Sequence, residues 1–134
     1  KGILGRDGAY DSLVYDGSPV LADYQPKGVW HVLLEEEAIA GLINLEFMNN
    51  VMWQCHVFIF EQYRGNESEI WGKQSADWMR ENMGAKKFVA ITPYLAARRY
   101  AEKVGFKQMA WLSNSILKDG KLLGQYMMVM GDKR

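Results

Sequence analysis

The chain has 134 residues, a length that fits one domain with a single core and is too short for two. Its 16 basic and 16 acidic side chains cancel, so no global field draws it to nucleic acid or to an anionic membrane, and we expect neither as a partner. Hydrophobic residues make up 49% of the chain and charged residues 24%, as in ordinary globular proteins. We therefore treat residues 1–134 as one globular domain.

The single cysteine and the two histidines give little support for redox or metal chemistry. Cys55 lies in an apolar run, so no internal disulfide can form, and we expect a buried, unreactive thiol. His31 and His56 lack the carboxylate or cysteine spacing that indicates a metal site. No stretch approaches the roughly 20 apolar residues of a membrane span. No signal peptide opens the chain, so a cytoplasmic location is expected.

The first half of the chain predicts turns followed by three strands. Residues 1–28 are rich in glycine and proline, which favours turns and short pieces. Val29–Glu35, Ala38–Phe47 and Val51–Phe60 are rich in β-branched and aromatic residues and are separated by short polar turns. They predict an antiparallel meander.

The third strand runs through Arg64-Gly65 directly into a helix. The first turn of a helix has unpaired N–H groups with the positive end of the helix dipole behind them, so this junction is a candidate anion site. Gly84 suits the end of the helix. One side of the helix combines apolar and small residues that let it lie close to a sheet, namely Trp71, Gly72, Ser75, Ala76, Trp78, Met79 and Met83.

The rest of the chain predicts a strand, a short helix and a hairpin. Lys87–Thr92 forms the strand, and Leu95–Lys103 forms a helix that Gly105 ends. The hairpin comprises Met109–Leu117, the turn Asp119-Gly120, and Leu122–Met130.

The order strand, Arg-Gly turn, helix, strand, short helix and Val104-Gly105-Phe106 resembles the GCN5-related N-acetyltransferases, from roughly Val29 to Met130. The resemblance implies an α/β (α+β) fold with a mixed sheet of about six to seven strands. Helices would cover both faces, and the sheet would splay where the cofactor enters. It also implies transfer of an acetyl group from acetyl-CoA, as co-substrate, to a primary amine of a small molecule or a protein.

The same resemblance implies the cofactor contacts. They fall on Ile59, Phe60, Arg64, Gly65, Asn66, Glu67, Ser68, Glu69, Tyr94 and Ala97. Ile59 and Phe60 would line the pantetheine path, where amide groups pair with a strand edge. In the turn, the family's later glycines fall on Glu67 and Glu69. A carboxylate about 6 Å from a phosphate costs on the order of 3 kcal/mol at an effective dielectric of about 20, unless it points outward and stabilises the helix start.

Acetyl transfer needs a base for the ammonium proton and an acid for the CoA thiolate, and water can serve either role. His56 is the first candidate base, because its pKa can lie near neutrality, and it resembles a histidine of small phage-encoded family members. A histidine that only packs within the sheet is the alternative. Glu46 is the second candidate base. Tyr126 is a candidate acid, and so is Tyr100, although the family's frequent tyrosine falls on the neighbouring Ala101.

The sequence also allows a function other than catalysis. Glu67, Glu69, Tyr94 and Ala101 favour a protein of this fold that has lost the cofactor and acts by binding, for example as a phage particle or assembly component. The 5 tryptophans and 7 tyrosines indicate a partner surface or a homodimer seam. A small basic patch would suit the adenosine phosphate of CoA, although such residues on a solvated helix face more often serve solubility; its members are Lys86, Lys87, Arg98, Arg99 and Lys103.

Overall fold

A computed structural model describes residues 6, 16, 18, 27–65 and 67–131. Within this part of the chain, six strands form one sheet in the order β1-β2-β3-β4-β6-β5. The strands are β1 (Val29–Glu35), β2 (Ala38–Phe47), β3 (Met52–Ile59), β4 (Lys87–Thr92), β5 (Lys107–Lys118) and β6 (Lys121–Met130). Helix α1 (Glu69–Met83) connects β3 to β4, and helix α2 (Leu95–Val104) connects β4 to β5. The predicted α+β fold with a mixed sheet is confirmed.

The sheet is mixed because one of its five strand pairs is parallel. The meander β1-β2-β3 is antiparallel, as predicted, and so are β4-β6 and β5-β6. The parallel pair β3-β4 joins only Met52 to Lys87, Trp53 to Phe88 and Gln54 to Val89. Beyond these three pairs, β3 continues to Ile59 and β4 continues to Thr92 without pairing to each other. The sheet therefore opens in its middle.

Both helices lie on the same face of the sheet. Ile43 and Leu45 of β2 point to this face and pack in one core cluster with Met79 of α1 and Val104 of α2. Met79 is fully buried, and truncation of such a core methionine to alanine costs about 2–5 kcal/mol.

Only part of the predicted apolar side of α1 packs against the sheet. Ser75, Ala76 and Met79 are buried, whereas Trp78 and Met83 are 44% and 41% exposed. These two side chains lie at the margin of the contact.

The predicted element boundaries agree with the structure to within about two residues, and the differences have local causes. Strand β3 starts one residue later than predicted, because the carbonyl of Val51 accepts bonds from the N–H groups of Lys86 and Lys87, at 2.8 and 2.9 Å. Gly84 ends α1 with φ +67°. Residues 1–26, predicted as turns, lie outside the described residues except for 6, 16 and 18.

The β5-β6 hairpin turns at Asp119-Gly120, as predicted. Both residues have positive φ, 52° and 75°, as a two-residue hairpin loop requires. The carboxylate of Asp16 accepts hydrogen bonds from their N–H groups at 2.9 and 2.8 Å. Among the described residues, no helix has the length and apolar character needed to cross a membrane.

Candidate functional site

The gap between β3 and β4 exposes one edge of β3. The N–H of Phe60 donates to the carbonyl of Ala40 on β2 at 2.8 Å. In an antiparallel ladder, alternate residues direct their backbone groups to opposite sides. Cys55, Val57 and Ile59 therefore direct theirs toward the gap. A ligand with amide groups can pair with this edge as an added strand does.

A cavity of about 1150 Å³ occupies the gap and extends to the start of α1. This volume is slightly above the range of typical small-molecule sites, about 300–1000 Å³, so an extended ligand fits. Its lining from the sequence-predicted set comprises His56, Ile59, Arg64, Gly65, Ser68, Tyr94, Ala97 and Tyr100. Arg99 and Lys103 of α2 also line it. Glu67 and Glu69 are not part of this lining.

The turn before α1 retains only some of its backbone donors. The N–H groups of Ser68, Ile70 and Trp71 donate to the carbonyls of Gly65, Glu67 and Ser68, at 3.1–3.2 Å. These three donors are therefore already used within the protein. Asn66, which belongs to the same turn, lies outside the described residues.

Arg64 is anchored at one end and free at the other. Its Nε donates to the carbonyl of Ile59 at 2.7 Å, and its guanidinium carbon lies 5.8 Å from the centre of the Phe58 ring. No ion pair within the described residues involves Arg64, and the side chain is exposed at the cavity. Guanidinium is the side chain that best matches a phosphate.

The two glutamates of the turn are not part of the cavity lining. Glu69 forms an ion pair with Lys73 one turn along α1, with 3.5 Å between Oε2 and Nζ. Glu67 is exposed. Glu69 lies in the first turn of α1, where negative charge is favourable. The expected repulsion of a phosphate is thereby reduced.

His56 and Glu46 share the sheet face opposite the helices. The register pairs His56 with Asn44 and Glu46 with Gln54, so the four side chains form one polar cluster on two neighbouring strands. Burial lowers the pKa of His56 below its usual 6.5, and the charge of Glu46 raises it by a smaller amount. The imidazole is therefore neutral at neutral pH and can accept a proton. The sequence did not single out Gln54, although its spacing of two from His56 on a strand puts it on that face.

The two candidate tyrosines occupy different places. The Tyr100 hydroxyl lies at the cavity and donates to the carbonyl of Ser68 at 2.8 Å. The Tyr126 ring packs against Trp111 at 4.9 Å and under the guanidinium of Arg98 at 5.0 Å. Its neighbour Gln125, and not Tyr126 itself, lines the cavity. The structure thus brings Tyr100 to the site and places Tyr126 beneath α2.

The side chains of Ile59 and Phe60 belong to the core, at 7% and 1% exposure. Ile59 directs its backbone N–H toward the cavity, whereas its carbonyl accepts a hydrogen bond from Arg64 Nε. The N–H of Phe60 is already used by Ala40. Cys55 is half-buried, and desolvation raises the pKa of its thiol to about 12. A thiolate nucleophile at this position is thus disfavoured.

Comparison with known proteins identifies the fold. No known protein family and no curated protein sequence matches the chain. Among solved structures, a mutant of the spermidine/spermine N-acetyltransferase SpeG from Vibrio cholerae is similar over 76% of this chain and 65% of its own, with TM-score 0.68 and 15% identity. An acetyltransferase of the GNAT family from Bacillus anthracis is similar over 75% of this chain and 63% of its own, with TM-score 0.66 and 13% identity.

A third structure, the ribosomal-protein-S5-alanine acetyltransferase from Vibrio fischeri, is similar over 73% of this chain and 57% of its own, with TM-score 0.64 and 12% identity. The chain spans about two thirds of the length of these proteins or less. At such identities the likeness shows the fold alone, and this chain has the fold of GNAT acetyltransferases. The resemblance to phage-encoded members stays a prediction.

Proposed function

We propose that the protein is an N-acetyltransferase that transfers the acetyl group of acetyl-CoA to a primary amine. The observation that carries the proposal is the unpaired edge of β3, which leads along one cavity to the turn at Arg64. The structural neighbours named above are acetyltransferases, which supports this class of reaction. The acceptor is a small molecule or a protein amine.

The residues present suit acetyl-CoA in three places. The backbone of Val57 and Ile59 would pair with the pantetheine amides, opposite Tyr94 and Ala97 of α2. The pyrophosphate would lie at Arg64, Gly65, Asn66 and Ser68, where the Arg64 guanidinium and the start of α1 meet at the cavity. Arg99 and Lys103 supply positive charge for the remaining phosphate.

The acceptor amine would approach from the face that carries His56 and Glu46. A neutral imidazole beside a carboxylate can remove the ammonium proton before the amine attacks. Because the sheet is open at this point, a ligand on the helical side and an acceptor on the other side can meet through the gap. We assign His56 as the base and Glu46 as the residue that tunes its pKa.

Titration calorimetry with acetyl-CoA tests the proposal. We expect saturable binding by the wild type, and Arg64→Ala should weaken it about ten-fold, as loss of one charge-assisted contact to a phosphate does. Lys107→Ala is the matched control, because it removes an exposed positive charge outside the cavity lining. It should bind as the wild type does. Absence of wild-type binding at millimolar acetyl-CoA would refute the proposed function.

The double variant Glu67→Gln/Glu69→Gln should change the acetyl-CoA affinity by less than about three-fold. Glu69 is paired with Lys73 and neither carboxylate lines the cavity, so little repulsion remains to be removed. The measurement is the dissociation constant at low and at high salt. A gain near a hundred-fold would instead show that the two acids block the phosphate site.

A further inference from the structure

Tyr100 connects the two helices at the start of α1. Its hydroxyl donates to the carbonyl of Ser68 at 2.8 Å, across 32 residues of sequence. The same carbonyl accepts a longer bond from the N–H of Trp71, at 3.2 Å. The Ser68 hydroxyl in turn donates to the carbonyl of Gly65 at 2.7 Å. Ser68, at the start of α1, is thus held by one hydrogen bond from α2 and by another to Gly65.

This contact sets the direction of one backbone donor. A trans peptide is planar, and its C=O and N–H point in opposite directions. Because the carbonyl of Ser68 is directed at Tyr100 on α2, the N–H of Glu69 in the same peptide is directed the other way, toward the start of the turn.

Gly72 makes the contact sterically feasible. A Cβ at this position would lie 2.6 Å from a methyl carbon of Val104 and 3.1 Å from the Tyr100 hydroxyl oxygen. Any side chain here would therefore push α2 and the tyrosine away from α1. The contact of Tyr100 with Ser68 therefore depends on glycine at position 72, which leaves room for the tyrosine hydroxyl.

We propose that Tyr100 is a positioning residue, whose hydroxyl fixes the Ser68-Glu69 peptide so that the first turn of α1, beside Arg64 and Gly65, is preorganised for the pyrophosphate of acetyl-CoA. The proposal rests on the proposed function. It replaces the prediction that Tyr100 protonates the CoA thiolate. Burial raises the pKa of Tyr100 to about 12, so the hydroxyl keeps its proton at working pH and donates to Ser68 throughout.

The test compares two acetyl donors in the Tyr100→Phe variant. With acetyl-CoA, the KM and the dissociation constant should rise about five-fold, as expected for loss of one neutral hydrogen bond, while kcat and its pH profile stay as in the wild type. With acetyl-pantetheine, which lacks the pyrophosphate, the variant and the wild type should have equal kcat/KM.

An equal loss with both donors, or a fall in kcat, would overturn the proposal in favour of an acid role. Unchanged acetyl-CoA affinity in Tyr100→Phe would overturn it too, whereas absence of binding by the wild type would refute the proposed function itself. Tyr63→Phe is the control, because no hydrogen bond of the Tyr63 hydroxyl is seen within the described residues. If Tyr100→Phe does not fold, Gly72→Ala displaces the same hydroxyl and should show the same donor-dependent loss.

Discussion

The His56→Gln variant is expected to lose about 10²- to 10³-fold in kcat, the usual contribution of a general base. Glutamine has a similar volume and can keep a hydrogen bond with its surroundings, but it cannot take a proton from the acceptor ammonium. Steady-state kinetics with acetyl-CoA and a primary amine measure the loss. The affinity for acetyl-CoA should stay near that of the wild type, because His56 lies on the face of β3 opposite the helices.

The pH dependence of kcat/KM in the wild type should reflect the titration of His56. A base must be neutral to act, so kcat/KM should rise with pH and level off above the pKa of His56. Burial lowers this pKa below 6.5, and the rising limb therefore lies on the acid side of that value. The limb should vanish in His56→Gln.

Two further variants distinguish a general-base role of His56 from a role in packing alone. The Glu46 carboxylate raises the pKa of His56, so Glu46→Gln should move the limb to still lower pH. His31→Gln is the matched histidine control, since His31 lies beneath α1, with Nδ1 2.6 Å from the Ser75 hydroxyl, and is not part of the cavity lining. If the rise of kcat/KM with pH persisted in His56→Gln, or shifted in His31→Gln, the general base would be a residue other than His56.

Much of the architecture follows from local sequence patterns. The β-branched and aromatic composition of Val29–Glu35 and Ala38–Phe47, with polar turns between the strands, predicts the meander. Glycine at positions 84 and 105 marks both helix ends, because each adopts a positive φ there, 67° and 125°. Strand periodicity also puts His56 and Glu46 on one face once the register is known. These features depend on neighbours close in the chain.

The details of the candidate site depend on tertiary contacts, which the sequence pattern does not specify. Whether Glu69 obstructs a phosphate is decided by its ion pair with Lys73, and the orientation of Arg64 by its bond to the Ile59 carbonyl. Tyr100 and Tyr126 are both plausible acids in the sequence, but packing directs one to Ser68 and places the other under Arg98. Sequence spacing identifies the turn as a candidate anion site without specifying which donors remain free.

Gly41 is another residue whose identity depends on a tertiary contact, the close approach of β3 to β2. It lies within β2 opposite Ile59, where a strand pattern gives no reason for glycine. A Cβ added at this position would lie 2.1 Å from the Phe58 carbonyl oxygen and 2.9 Å from the Ile59 Cα. Both are backbone atoms, so relief requires β3 to move. Ile59 also belongs to the open edge of β3 at the cavity.

We therefore expect Gly41→Ala to lower the free energy of unfolding by on the order of 3 kcal/mol. For a domain of this size, that loss corresponds to a fall in Tm of about 10 °C. Because the strain falls on Phe58 and Ile59, the folded fraction should also bind acetyl-CoA more weakly than the wild type. Urea denaturation and calorimetry measure the two effects separately.

Gly131→Ala is the matched control for this steric argument, because a Cβ at position 131 meets no atom within 4 Å. Its free energy of unfolding should stay within about 0.5 kcal/mol of the wild type. If Gly41→Ala were as stable as Gly131→Ala, the close approach of β2 to β3 would not exist as described. The open edge of β3 would then have a different course, and the pantetheine path proposed along Val57 and Ile59 would lose its structural basis.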